Sequence, residues 1–173
     1  MHARRIKEMV SQLLYDAHIH APPIDVELIA QLKRAEVRYA PFDDTVSGIL
    51  YREADQIIIG VNKEHSDVRK RFTIAHEIGH LLLHPEPYYI DRQFTIRMRD
   101  GRSALAVDIH EIEANSFAAE LLMPTQMLLA DISGKQIDYV DDQIIKTLAN
   151  LYKVSMQAMT FRLTNLGFIE PQW

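Results

Sequence analysis

The chain has 173 residues, the length of one domain or of one with a small appendage on a prior of about 100–200 residues per domain. Hydrophobic residues make up 47% and charged residues 25%, which describes globular material and excludes a disordered or fibrous chain. The sequence has no cysteine, so disulfides, thiol nucleophiles and thiolate-bound zinc are excluded, and any metal must be held by His, Asp or Glu. A formal net charge of −5 argues against a chain whose main role is to coat phosphate backbone.

Residues 1–17 carry early positive charge, then space Ile6, Val10, Leu13 and Ala17 helically with Glu8, Gln12 and Asp16 between them. That pattern predicts an amphipathic helix rather than a signal peptide. The longest apolar runs, at 57–59 and 81–83, fall far short of the roughly 18–20 residues a membrane span needs. With the lack of cysteine, the expectation is a cytoplasmic protein with no membrane partner. Ala21-Pro22-Pro23 breaks the first pattern, and Asp25 can cap a second helix carrying Val26, Ile29, Ala30 and Leu32. A short strand is predicted around 37–39. The β-prone runs 48–51 and 56–61, separated by the polar residues 52–55, read as a hairpin.

A third helix is predicted from Ser66 or Asp67 to about Leu83, where Pro85 and Pro87 stop it. Val68, Phe72, Ala75, Gly79 and Leu82 share one face, and Ile74, Ile78 and Leu81 widen the apolar arc. A helix apolar over most of its circumference is buried, so polar residues on it need a specific reason. Residues 85–110 read as irregular, 111–123 as helix ending at Pro124, and 143–152 and 157–166 as two final helices, with Ser155 as N-cap and Gly167 as stop.

The buried helix contains His76-Glu77-Ile78-Gly79-His80, an H-E-x-x-H pattern. Residues four apart lie on one face, so both imidazoles can reach one ion while Glu77 leans toward an open coordination position. Two histidines leave a third ligand to find among His84, His110, Glu111, Glu113 and Glu120. His84 lies about 6 Å further along the axis than His80, out of reach on a straight helix, and reads as a packing or supporting histidine. On the following helix Glu111 and Asn115 share a face, so Glu111 can ligate while Asn115 hydrogen-bonds a ligand histidine. Ala114, Ala118 and Ala119 allow that helix to approach closely. Glu113 points roughly 200° away from Glu111 and reads as a solvated or salt-bridged surface residue.

The two stretches RFTIAHEIGHLLLH (71–84) and EIEANSFAAELLMP (111–124) resemble the ImmA/IrrE family of metallo-endopeptidases, and the similarity extends from about Pro23 to Gly167. The resemblance implies an α+β fold: a mainly helical zincin-like core with a small sheet or hairpin, followed by a helix-turn-helix-like C-terminal part. It divides the chain into a metallopeptidase domain at 1–130 and a helical extension at 131–173 packed on it. It implies that His76, His80 and Glu111 bind the metal and that Glu77 activates water, as in thermolysin-like (gluzincin) proteases. The implied substrate is a helix-turn-helix repressor of a mobile element or stress regulon. Zinc is the expected cofactor, with manganese the alternative, since two imidazoles and a carboxylate suit both. Tyr88, Tyr89 and His110 are candidate oxyanion donors. The hairpin is expected to offer an edge strand to an extended substrate.

The tail brings in a second class of function. Its last two helices have the cadence of a DNA-binding helix-turn-helix, which would make the protein a DNA- or protein-binding regulator with a structural metal site. From Asp138 onward Lys146, Lys153 and Arg162 face Asp138, Asp141, Asp142 and Glu170, a net charge with little attraction for phosphate. Direct nucleic-acid binding is therefore not expected, and the stripe Leu148, Leu151 and Tyr152 reads as core.

Overall fold

The computed structural model describes residues 2–53, 56–85, 88–92, 101–134 and 142–169. The elements run α1 (His2–Asp16), α2 (Val26–Leu32), β1 (Ala35–Ala40), β2 (Val46–Glu53), β3 (Gln56–Asn62), α3 (Asp67–Leu83), β4 (Tyr88–Arg92), α4 (Gly101–Leu122), α5 (Thr125–Gly134), α6 (Asp142–Tyr152) and α7 (Met156–Asn165). This is an α+β fold with a mixed four-stranded sheet in the order β1-β3-β2-β4. Strand β1 lies parallel to β3, while β2 runs antiparallel to both β3 and β4.

Local chemistry sets several of the helix boundaries. Asp25 accepts a hydrogen bond from the Leu28 backbone N–H at 2.9 Å, and Ser155 accepts one from Ala158 at 3.1 Å. Each satisfies a donor that the first helical turn leaves without a partner. Gly167 takes a positive φ of 81° just beyond α7, the left-handed conformation that closes a helix at low cost only with glycine. Pro124 separates α4 from α5, and the chain resumes helix at once because Glu120 Oε1 accepts from the Thr125 backbone N–H at 3.0 Å.

The core is one continuous cluster. It takes Ile6, Val10 and Leu13 from α1, Ile29 from α2, Leu50, Ile59 and Val61 from the sheet, and Ile74 and Ile78 from α3. Phe117 and Leu121 of α4, Leu128 of α5, Leu148 and Tyr152 of α6, and Met159 and Leu163 of α7 complete it. Helix α3 packs on α4 and also on β2 and β3. A Cβ at Gly79 would lie 3.1 Å from both the Cα and the carbonyl oxygen of Ala114, so the α3–α4 joint depends on a missing side chain. Among the described residues no helix is long and apolar enough to cross a membrane.

Four sequence expectations are corrected here. Both strands of the hairpin are internal, because β4 pairs along β2 with Leu50 opposite Tyr89 and Tyr51 opposite Tyr88, which makes β1 and β4 the edges among the described residues. Helix α4 begins at Gly101 rather than near 111, since residues 104–107 are apolar without a break and show no helical face to the eye. Helix α5, directly behind Pro124, falls where the sequence pattern predicts no element. Leu151 is 37% exposed while Leu148 and Tyr152 are buried, so the expected core stripe on α6 is narrower by one residue. Tyr152 keeps its hydroxyl satisfied by donating to Asp131 Oδ2 at 2.7 Å.

Candidate metal centre

Helix α3 is buried without interruption from Thr73 to His80, and its polar side chains are buried with it: His76, Glu77 and His80 are at most 2% exposed. Helix α4 crosses at the Gly79–Ala114 contact and brings Glu111 to the two imidazoles. His76 Nε2 and His80 Nε2 lie 3.0 Å apart. Glu111 Oε2 is 3.2 Å from His76 Nε2, and Glu111 Oε1 is 3.2 Å from His80 Nε2. These residues form a group able to hold a metal ion.

The donor set fits a divalent cation. A tetrahedral centre with ligands at about 2.0–2.1 Å sets its donor atoms roughly 3.3 Å apart, close to the 3.0–3.2 Å found here. On the far side of one ring, His76 Nδ1 meets Asn115 Oδ1 at 3.1 Å, so the ring proton sits on Nδ1 and the Nε2 lone pair points inward. Imidazole lone pairs and a carboxylate converging at these distances repel one another unless a positive charge lies between them.

The electrostatics agree with that need. Burial pushes the His80 imidazole below its ordinary value of 6.5, against the opposing pull of Glu111, which keeps the ring neutral and able to ligate near pH 7. Burial by itself would raise the Glu111 carboxyl, but in the metal-free protein an inward-facing N–H of His76 or His80 prevails and draws it down to about 2, a proton that a bound cation displaces. The site therefore holds a carboxylate and a neutral imidazole, the ionisation states a divalent cation requires.

Glu77 packs against the sheet. A Cβ at Gly48 would lie 2.8 Å from Glu77 Oε1 and 2.4 Å from Thr73 Cγ2, so β2 carries glycine where the carboxylate comes down onto it. On the other flank, His84 is the C-cap of α3, in extended conformation at φ −125° and ψ 132°. Its Nδ1 is 3.0 Å from His80 Nδ1, and its Nε2 is 3.1 Å from Glu113 Oε2. His84 therefore sits against the candidate ligand His80, outside the donor cluster. Of the two readings of Glu113, solvated or salt-bridged, the structure has the second: its side chain is 18% exposed and paired with His84. His110 stacks on His84 with ring centroids 4.0 Å apart.

The remaining candidates lie elsewhere. Glu120 accepts from Thr125 and from Arg162, whose guanidinium also donates to the Met123 carbonyl at 2.9 Å. It is thus part of the joint between α4, α5 and α7. Tyr88 and Tyr89 belong to β4 by backbone register, and their side chains lie outside the described residues. Sequence reasoning missed Gly48 and Arg52. The first could have been found as a glycine inside a β-prone run. The second caps the end of α3 by donating to Leu81 O and His84 O at 3.1 and 3.2 Å, and no local pattern announces it.

Comparison with known proteins agrees with this architecture. The family described as IrrE N-terminal-like domain, Peptidase_M78, matches residues 30–164, and the chain belongs to it. An uncharacterized immunity region protein 2 of Bacillus phage phi105 is 36% identical over 74 residues, a match spanning 43% of this chain and 42% of the phage protein. The solved structure of a Mycobacterium tuberculosis transcriptional regulator superposes with a TM-score of 0.62 at 15% identity, covering 93% of this chain and 46% of that one. The matched regions thus cover less than half the length of each of these two proteins.

Proposed function

We propose that the protein is a zinc-dependent endopeptidase that cleaves a helix-turn-helix repressor. The observation that carries this reading is the convergence of His76 Nε2, His80 Nε2 and Glu111 at 3.0–3.2 Å on two packed helices, inside a family whose name is that of a peptidase. His76, His80 and Glu111 would hold the ion, leaving one position open, as catalytic sites do. A divalent ion bound there supplies Lewis acidity, lowering the pKa of water toward roughly 7 and polarising a carbonyl.

The chain's own residues do the rest. Glu77 takes a proton from the attacking water on its carboxylate as the new C–O bond forms, then gives it to the leaving amide nitrogen as the C–N bond breaks. Its burial against Gly48 holds the carboxylate in place and keeps bulk water from it. Asn115 orients His76. The carbonyl oxygen of the substrate is met by a donor drawn from Tyr88, Tyr89 and His110. Residues 131–173 serve as a helical extension of the peptidase unit, tied to it through Arg162 and Glu120.

The phage relative is named for an immunity region, and this supports a repressor as the substrate. The rival reading, a DNA-binding regulator, draws on the name of the structural neighbour and on the α6–α7 pair. Against it, the exposed residues of α7 are Met156, Gln157, Phe161 and Asn165, none cationic, and Arg162 is committed to Glu120. The test mixes the purified protein with the repressor encoded nearest its own gene. Two discrete fragments that disappear with a chelator are expected. Tight, salt-sensitive binding to duplex DNA with no cleavage would overturn the peptidase reading.

A further inference from the structure

His80, His84 and Glu113 form a line leading away from the donor cluster, and chemistry gives the line a direction. His80 Nδ1 and His84 Nδ1 are 3.0 Å apart, and His84 Nε2 is 3.1 Å from Glu113 Oε2. A carboxylate only accepts, so this contact fixes a proton on His84 Nε2. A cationic His84 would donate from both nitrogens and put the His80 proton on Nε2, inside the donor cluster. A His80 that ligates therefore requires the neutral ring, whose bare Nδ1 accepts, and this assigns the proton between the two rings to His80 Nδ1. His80 Nε2 is left bare on the side that faces His76 and Glu111. The reverse order would set a lone pair of His84 against the Glu113 carboxylate and place an N–H where a ligand atom is needed.

Building on the metal-centre reading above, we infer that Glu113, acting through His84, is a positioning residue that holds His80 in the tautomer able to bind the cation. The surroundings of His84 fit a fixed relay. Its backbone N–H donates to His80 O at 3.1 Å, its carbonyl accepts both Nη atoms of Arg52 at 3.2 Å, and its ring is stacked on His110 at an interplanar angle of 26°. The ring is 3% exposed and has little freedom to turn either nitrogen elsewhere. The two ligand histidines are thus oriented by different devices: an amide, Asn115, for His76 and an imidazole–carboxylate pair for His80. In sequence terms the device is a histidine four residues beyond the second ligand and a glutamate two residues beyond Glu111.

The test compares Glu113→Gln, Glu113→Leu and His84→Phe by zinc affinity in chelator competition, and by proton NMR of the His80 Nδ1–H in the zinc-loaded protein. Gln keeps an acceptor at nearly the same volume, whereas Leu fills the space without one. Glu113→Gln should bind zinc within about threefold of the parent, since the hydrogen bond survives. Glu113→Leu should bind roughly 10- to 100-fold more weakly and lose the slowly exchanging Nδ1–H signal. His84→Phe, which preserves the ring stack, should follow Glu113→Leu. Equal affinities for the Gln and Leu variants, with the signal retained in both, would show that Glu113 only fills space and would overturn the relay alone. A parent protein that takes up no zinc would overturn the metal-centre reading as well.

Discussion

Replacing Gly79 by valine tests whether the α3–α4 joint sets the metal geometry. A Cβ at this position already lies 3.1 Å from Ala114 Cα and Ala114 O and 3.3 Å from Phe117 Cβ, tighter than ordinary van der Waals contact at about 3.5–4.0 Å between carbons. Two further methyl groups have no space, so the helices must separate by an amount on the order of the missing half-ångström or more. Overpacking of this kind costs about 1–3 kcal/mol. Without metal, part of that strain is relieved by separation, which moves Glu111 away from the 3.2 Å it keeps from His76 and His80. Binding an ion pulls the helices together again, so strain relieved in the metal-free protein reappears as lost affinity. Loss of stability and loss of affinity should therefore sum to about 1–3 kcal/mol, with zinc binding weakened by up to roughly 100-fold. Gly79→Ala should be nearly neutral, because its gain in helix propensity of about 1 kcal/mol offsets the milder clash. Urea denaturation of the metal-free protein and chelator competition measure the two parts. A Gly79→Val protein with parental stability and parental affinity would refute the reasoning.

Further outcomes follow from the same geometry. Glu77→Gln should keep the fold and the metal while abolishing cleavage, because the amide has the shape but lacks the basicity; repressor cleavage within a few-fold of the parent would remove Glu77 as the base. Acidification should destabilise the metal-free protein in two windows. Below pH 6.5 the unfolded chain protonates His80 while burial resists this in the fold, so stability falls as pH drops. Between pH 4.5 and about 2 the contribution of the depressed Glu111 carboxyl is lost. Denaturation curves at pH 8 and 5.5 should show the first loss in the parent and a smaller one in His80→Gln. Arg162→Ala should destabilise the chain by about 3–5 kcal/mol, since it leaves the buried Glu120 carboxylate without its cation; a change in thermal midpoint of under about 2 °C would refute the assigned role of that pair.

The parts of this protein that were legible in its sequence are those set by local chemistry. The Asp25 and Ser155 caps, the stop at Gly167 and the extent of α3 all follow from residues within a turn of the boundary. The candidate donor face was legible because helical spacing alone brings His76, His80 and, on the next helix, Glu111 and Asn115 into phase. What was hidden depends on partners distant in sequence. Strand β4 has five residues and forms only by pairing with β2, and its presence turned an expected edge into an interior strand. Glu113 looked like a solvated or salt-bridged surface residue because helical phase carries it away from Glu111, and nothing local named its partner. Its partner His84 has left the helix in extended conformation, beyond what the periodicity of α3 describes. Gly48 likewise acquires its meaning only when Glu77 is laid across it.

Metal content tests the central claim most directly. Elemental analysis of the purified protein, before and after equilibration with zinc and removal of the excess, should give one divalent ion per chain in the parent. The His80→Ala and Glu111→Ala variants, with helical content unchanged by circular dichroism, should hold far less than one. A folded parent that retains no ion after equilibration, or variants that retain the full complement, would contradict the assignment of His76, His80 and Glu111 as a metal centre.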